Sequence, residues 1–290
     1  MAEEINLIKH ITDHPWPGCQ TQLFGLPVTW MSSGIATMLL AGAILLLVLP
    51  MLASRRKLAP GGAYNVVEVL VVFVRDMIAR PALHDRAYEF LPFLLTLFVF
   101  ILAMNLLGMV PLGSAATVLG LPRIGGAATG IPTVTGGLAC ITLLTVIGSG
   151  LKRQAEVCHH KRGWPVALCL AISPVLWTMS LAPKMSGATG VILAGPFMLL
   201  ELVGVFARCF ALMIRLFANM ASGHMIAAVL MMFITQAMQA GLVNLALVGP
   251  VCVAASVAMN ALDLLVSGLQ AYIFTFLSAV FIGLYSGDGH

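Results

Sequence analysis

Five runs of apolar residues dominate the pattern of hydrophobic and polar positions along this chain. Three of them, at 28–53, 89–111 and 134–150, hold few charges and have the length that a helix needs to cross a bilayer. The other two, at 190–238 and 250–285, would be about 70 and 50 Å long as helices, against a hydrocarbon core of about 30 Å. These last two runs therefore predict a strongly tilted helical hairpin.

Residues 64–80 carry a different pattern, because their polar side chains keep to one side. On a helical wheel these side chains share a single wedge, and nearly all other positions are apolar. The polar residues of the wedge are Asn65, Glu68, Arg75, Asp76 and Arg80. The pattern predicts an amphipathic helix lying in the membrane interface. The alternative is a short span with its charges at one end.

Residues 164–183 are apolar and long enough for a span, yet they contain Pro165, Pro174 and Pro183 and are followed by Lys184. Proline removes a helical hydrogen bond and kinks or ends a helix. We therefore interpret this stretch as a re-entrant segment, or as one packed at the cytoplasmic surface.

Basic residues cluster after the first and third spans, in "SRRK" at 54–57 and in "LKRQAEVCHHKR" at 151–162. Positive charge marks the cytoplasmic side of a membrane protein. Both loops are then inside, the N-terminal segment 1–27 is outside, and the C-terminus is cytoplasmic. The start "MAEEINLIKH" lacks the basic region of a secretory signal and the arginine-rich character of a transit peptide, which favours a bacterial inner membrane. The alternative is an organelle-encoded chain, which would look similar.

Composition leads to the same class of protein. The chain is 60% hydrophobic and 9% charged, whereas soluble domains carry about 25% charged residues. We predict an all-α, multi-pass membrane protein with one domain over 1–290, including a helical hairpin at 87–150 and the tilted hairpin at 190–285. The net charge of +4 is small, and no nucleic-acid partner is expected.

Candidate metal ligands are few. The six cysteines have no paired spacing, so neither a disulfide framework nor a zinc cluster is predicted. Cys158, His159 and His160 look like a metal-binding run, but the loop that holds them is strongly basic. We expect no metal site and no cofactor.

Polar residues interrupt the last two apolar runs and form one stripe on each. On the first helix four of them recur every seven residues, namely Glu201, Arg208, Arg215 and Ser222. Asn219 joins this stripe, whereas His224 lies on the opposite side of the helix. On the second helix the spacing is three, four and three, which gives a single polar face made of Asn260, Asp263, Ser267 and Gln270.

These two stripes also predict a register. In an antiparallel pair of helices, residues at one level have numbers with a nearly constant sum. Three polar pairs satisfy this rule: Arg215 with Gln270, Asn219 with Ser267, and His224 with Asp263. The midpoint of that sum falls in "QAGLVNL", where Gly241 and Asn244 are natural turn residues.

Charged residues inside this apolar hairpin are energetically costly, so their presence requires an explanation. An arginine at the centre of a spanning helix costs about 2.5–3.5 kcal/mol on insertion scales, and intramembrane ionisable residues are functional candidates by default. We therefore single out Arg215 and Asp263, with a neutral His224 able to relay a proton. For Asn260 and Ser267 the alternative is that they only hold helices together.

Three segments resemble subunit a of F-type ATP synthases. "FALMIRLFANMASGH" (210–224) is similar to that family's Arg-Leu-Phe-(Ala/Gly)-Asn-Met core, followed by a small residue, Gly, and His or Glu. "LDLLVSGLQAYIFTFLSAVFIGLY" (262–285) has an acidic residue seven positions before Gln-Ala-(Tyr/Phe). "FLPFLLTLFVFILAMNLLGMVP" (90–111) is similar to an earlier hairpin helix. The resemblance is strongest over 196–285.

The resemblance implies roles for the matching residues. Arg215 matches the arginine that faces the carboxylates of the rotating c-ring, and His224 and Asp263 match the polar pair of the outer half-channel. The other matches are Gln270 near the arginine, Asn219 one turn beyond it, Asn105 on the outer access path, and Glu201 on the cytoplasmic side. Supporting positions are Ser222, Asn260, Ser267 and Arg208.

This sequence departs from the family pattern in three places. Cys209 stands where a proline is common. Asp263 replaces the more usual Glu or His. Residues 160–190 do not align well, which leaves the inner half-channel and the start of its helix less defined by the resemblance.

The implied function is a pair of offset half-channels that carry protons to and from the c-ring, with Arg215 separating them, so that ion flow drives rotary ATP synthesis. Implied partners are the c-ring, the peripheral-stalk b subunits, other ATP synthase subunits and the lipid bilayer. The chain itself would be a non-hydrolytic, proton-translocating subunit. The pairing of His224 with Asp263 favours protons over Na⁺.

Two alternative functions come from other classes. A secondary transporter could bind an anionic solute at Arg215, but transporters usually show internal repeats, and this sequence shows none. A membrane metalloenzyme would use His159, His160 and His224, whose predicted levels keep them apart. Co-purification with an oligomeric c-ring would exclude both.

Overall fold

The computed structural model describes residues 20–23, 26–29, 32–53, 62–110, 128–162 and 188–286. Its α-helices are α1 (Ser33–Ala53), α2 (Ala63–Phe73), α3 (Arg80–Leu83), α4 (Ala87–Met109), α5 (Pro132–Arg162), α6 (Ala188–Gln239) and α7 (Leu242–Ser286). All but α2 and α3 are long and apolar enough to cross a membrane. The predicted all-α, multi-pass membrane class is confirmed.

Two short strands precede α1. Gln20–Leu23 pairs antiparallel with Leu26–Thr29. No strand was predicted here. The predicted start of the first span at residue 28 is wrong, because Val28 and Thr29 belong to the strand pair. Helix α1 begins at Ser33 because the Ser32 hydroxyl accepts a hydrogen bond from the backbone N–H of Ile35 (3.3 Å), a typical N-cap.

The amphipathic segment predicted at 64–80 is helical but not uniform. Helix α2 passes into a π-helix, Val74–Ala79, and α3 adds one more turn up to Leu83. The Arg75 guanidinium donates two hydrogen bonds to the Asp76 carboxylate, each 2.9 Å, and these bonds hold the pKa of that carboxyl below its usual range. None of the membrane-spanning candidates includes this segment.

Helix α5 is longer than the predicted span at 134–150. It runs from Pro132 to Arg162 and includes Cys158, His159 and His160, so the prediction of a basic loop over these residues was wrong. Residues 151–162 contain neither glycine nor proline and include Leu, Lys, Arg, Gln, Ala and Glu, which favour helix. A helix of 31 residues is about 46 Å long.

Helices α6 and α7 contain 52 and 45 residues, about 78 and 68 Å, and are therefore longer than a bilayer core is thick. Only Ala240 and Gly241 separate them, and Gly241 has a φ of +113° that glycine adopts without strain. This turn lies inside the predicted stretch 239–245 and includes Gly241, one of the two predicted turn residues. Asn244 lies inside α7, where its side-chain N–H donates to the Ala240 carbonyl (3.1 Å).

The chain divides into two compact units. The first consists of Met1–Val72, Leu95–Thr135 and Ile214–Ile273. Within it α1 comes close to α4 at Gly42, where an added Cβ would lie 3.8 Å from the Phe100 ring. Asn105 of α4 bonds to α7 at the Ser267 carbonyl (3.4 Å). The first unit holds most of the polar residues singled out from the sequence.

The second unit consists of Phe73–Leu94, Gly136–Met213 and Phe274–His290. Within it α4 and α5 are joined by the Lys152–Glu89 ion pair (2.9 Å), and Glu89 also pairs with Arg86 (3.0 Å). Helix α7 comes against α3, where the Cα of Gly283 approaches the Ala82 carbonyl. The predicted number of domains and the predicted tilt of the last hairpin stay predictions.

Two further predictions fall outside the described residues. One is the re-entrant or surface-packed segment at 164–183. The other is the outer placement of residues 1–27, of which only the two short strands are described.

Candidate functional site

Arg215 lies on the exposed face of α6. Leu216 and Met220 on the same helix are 1% and 6% exposed and pack inward, so the arginine points away from the core of the first unit. No other residue in the described part of the chain forms a hydrogen bond or an ion pair with the Arg215 guanidinium. An unpaired charge on an apolar helix is expensive in a membrane, which indicates a partner beyond the described residues.

Asp263 of α7 lies directly against α6. A Cβ added at Gly223 would be 2.6 Å from Asp263 Oδ2 and 3.0 Å from its Cγ, so the carboxylate rests over the glycine backbone. His224 is the next residue, close enough to Asp263 for the two side chains to interact electrostatically. The approach of Asp263 to Gly223 is one residue from the predicted register of Asp263 with His224.

A cluster of buried polar side chains joins α4 and α7 in the first unit. Asn105, Ser267 and Gln270 are 1%, 0% and 4% exposed. Apart from the 3.4 Å bond from the Asn105 side-chain N–H to the Ser267 carbonyl, the cluster has unmatched groups. These are Asn105 Oδ1, Ser267 Oγ and Gln270 Nε2, none of which has a hydrogen-bond partner among the described residues. Buried polar atoms of this kind are typically satisfied by water or a ligand.

The remaining polar residues of the first unit are less enclosed. The Ser222 hydroxyl donates to the Asn219 carbonyl on its own helix (2.8 Å), so it is already satisfied. Asn260 is exposed on α7, and Asn219 is half-buried. The predicted pairs of Arg215 with Gln270 and of Asn219 with Ser267 show no direct side-chain bond, and Gln270 faces inward while Arg215 faces outward.

Two predicted residues belong to the second unit. Arg208 donates a hydrogen bond to Glu201 (3.3 Å), and the Arg208 guanidinium lies 5.9 Å from the centre of the Phe281 ring of α7. This ion pair joins successive members of the polar stripe, which are seven residues apart on α6.

Metal-ligating side chains do not gather in the part of the chain that the structure describes. No three His, Cys, Asp or Glu residues there could hold a metal ion together. Within the predicted Cys-His-His run, Cys158 is buried and both histidines are exposed on α5.

Sequence reasoning did not single out Gly223 or the Glu89–Lys152 ion pair. The signal for Gly223 was its place in the middle of a long helical run, directly before His224, since glycine inside a helix usually has a packing or functional reason. The ion pair joins residues far apart in sequence, and only the fold brings them together.

Comparison with known proteins places these features in a family. The family model described as ATP synthase A chain matches residues 35–283. ATP synthase subunit a of Chloroherpeton thalassium is 33% identical over 255 residues, covering 86% of this chain and 65% of that protein. ATP synthase subunit a 2 of Prosthecochloris aestuarii is 34% identical over 262 residues, covering 88% and 69%.

A third relative gives a similar match to this chain. ATP synthase subunit a of Myxococcus xanthus is 34% identical over 239 residues, covering 82% of this chain and 66% of that protein. The chain thus spans about two thirds of the length of the relatives it matches. The family model covers most of the chain, including α4 to α7 and the residues around Arg215 and Asp263. The chain therefore belongs to the ATP synthase A chain family.

Proposed function

We propose that this chain is the membrane-embedded stator subunit a of an ATP synthase, and that it carries protons to and from the carboxylates of a rotating c-ring. Family membership and five described helices that are long and apolar enough to cross a membrane support this function. The observation that carries it is the exposed guanidinium of Arg215, which has no partner in the described part of the chain.

The arginine acts on the c-ring carboxylate through charge. In lipid the carboxylate is neutral, because burial disfavours the ionised form. Beside Arg215 its pKa falls and the proton leaves; past Arg215 the carboxylate takes up a proton from the other side. Arginine suits this role because it keeps its charge in proteins, and the fixed charge also blocks direct leakage between the two paths.

The outer half-channel contains His224 and Asp263, since the Asp263 carboxylate lies against α6 at Gly223, the residue next to His224. The buried cluster of Asn105, Ser267 and Gln270 offers unmatched donors and acceptors, which suits a water-filled path. Asn219, Ser222 and Asn260 support this side. Glu201, two heptads before Arg215 on α6, belongs to the inner path, with Arg208 as its ion-pair partner.

The partners follow from this function. They are the c-ring on the Arg215 face, the peripheral-stalk b subunits, the other ATP synthase subunits and the lipid bilayer. The chain sits in a bacterial inner membrane, with its N-terminus outside and its C-terminus cytoplasmic. A secondary transporter would enclose the charge that binds its solute, whereas Arg215 is exposed.

The test is ATP-driven acidification of inverted membrane vesicles carrying Arg215→Ala. We expect pumping to fall by about a hundredfold or more, as when a preorganised charge is removed from a reaction site. Pull-down of the complex checks that it is still assembled. Thr235→Ala is the matched control, since Thr235 is an exposed polar residue of α6 whose hydroxyl bonds only its own helix (2.8 Å). Normal pumping by Arg215→Ala would refute the proposal.

A further inference from the structure

Gly223 is a buried glycine in the middle of α6, and it is the point where α7 brings a carboxylate closest to that helix. An added Cβ would be 2.6 Å from Asp263 Oδ2 and 3.0 Å from Oδ1 and Cγ. Among the described glycines of this hairpin, only Gly223 meets a carboxylate, since the close neighbour of Gly283 is the backbone carbonyl of Ala82. At Gly268 nothing lies within 4 Å, and at Gly249 the nearest atom is Leu245 Cδ1 of its own helix, at 3.6 Å.

We infer that Gly223 is a positioning residue whose missing side chain forms the seat that holds the Asp263 carboxylate against α6, beside His224. The inference rests on the proposed role of Asp263 in the outer half-channel. Glycine is the least favourable residue apart from proline in a helix interior, so a helix without need of the gap would gain stability from alanine.

A methyl group added at Gly223 would clash with the end of a rotatable side chain, that of Asp263, rather than with backbone. A methyl group there would move the carboxylate outward by about 1 Å, to ordinary contact near 3.5 Å, and would leave both helices in place. A displacement of that size can cost up to about a hundredfold in a reaction that depends on position. The effect therefore falls on ion transfer rather than on folding.

The seat also accounts for the choice of acid at position 263. Aspartate has one methylene fewer than glutamate, so its carboxylate stays close to its own helix. It can contact a neighbouring helix only where the two helices approach closely. Gly223 provides such a close approach. The small residue on α6 and the short acid on α7 are therefore matched in size.

The test compares variants in the assembled complex, by ATP-driven proton pumping in inverted vesicles. Gly223→Ala is expected to pump about tenfold or more slowly than the parent. Gly249→Ala is the matched control, since it adds the same methyl group on the Asp263 face of α7 without meeting another helix, and it is expected to pump normally. Pull-down confirms assembly of each variant.

Rescue separates positioning from packing. Adding Asp263→Glu to Gly223→Ala lengthens the acid past the new methyl group, and we expect pumping to recover severalfold. If Gly223 served only to pack the helices, the extra volume of glutamate would bring no recovery, and the inference would be overturned. A Gly223→Ala variant that fails to assemble would overturn it as well, since the clash would then lie with backbone.

The variant Asp263→Asn separates the positioning role of Gly223 from the proposed role of Asp263 in the outer half-channel. Loss of pumping in Asp263→Asn with normal pumping in Gly223→Ala would remove the seat and leave the proposed role of Asp263 intact. Normal pumping in both variants would remove the role of Asp263 itself.

Discussion

At the scale of single residues, polar groups inside the membrane segments fall into two kinds. Arg215 is exposed and unpaired in the described structure, and in the proposed function its partner is a carboxylate of the c-ring. Asn105, Ser267 and Gln270 are buried, and only some of their hydrogen-bonding groups have partners. Their free groups are therefore available to bind water inside the chain. The sequence shows that both kinds are polar, but it does not show which way each side chain points.

Asn105→Leu separates stability from transport. Replacing a partly unsatisfied buried amide by an apolar group of similar size can be nearly neutral for stability. We expect the free energy of unfolding of the complex to change by less than about 1 kcal/mol, while proton pumping falls severalfold. Thr145→Val is the control, since the Thr145 hydroxyl bonds only the Ile141 carbonyl of its own helix (2.8 Å). Full pumping by Asn105→Leu would take Asn105 out of the pathway.

At the scale of elements, the apolar runs predicted the five long helices well, because burial in lipid requires an uninterrupted helix. The ends were less predictable. Helix α5 continues past Gly150 into a charged segment, because nothing between 151 and 162 stops a helix. The π-helix at 74–79 and the strand pair near residue 25 depend on packing and pairing, which no periodicity within one segment reveals.

Gly283→Ala tests the contact that joins α7 to α3 in the second unit. A Cβ at Gly283 would lie 2.5 Å from the Ala82 carbonyl oxygen, which is backbone and cannot rotate away. We expect destabilisation of about 1–3 kcal/mol and a lower yield of assembled complex, measured by pull-down and thermal inactivation. Gly268→Ala, with nothing within 4 Å, should behave as the parent. Equal yields from the two variants would mean that the contact is loose.

At the scale of the whole molecule, the last two helices leave most of their apolar surface uncovered. Only 17% and 6% of their most apolar windows are buried within the chain. Large exposed apolar surfaces mark contact with lipid or with a partner protein. Hydropathy predicted that this surface exists. Hydropathy could not divide the surface between lipid and the proposed ring, because lipid and a partner helix select the same apolar side chains.

Ala218→Trp maps the partner face. Ala218 is exposed on α6 one turn after Arg215, so a large side chain there would hold the c-ring away. A misfit of about 1–3 kcal/mol corresponds to an affinity about 5- to 150-fold lower, and therefore to loss of ring from the purified complex. Val243→Trp, at the tip of the hairpin and 74% exposed, serves as the control. If Ala218→Trp retained the ring fully, the ring would have to contact another face.

The outward arginine also bears on how the complex is made. Before a carboxylate partner arrives, that charge faces acyl chains, at a cost of about 2.5–3.5 kcal/mol on insertion scales. A newly inserted chain is therefore in a less favourable state than an assembled one. Under the proposed function, the guanidinium that serves transport also favours a particular order of biogenesis, in which the ring is present when this subunit arrives.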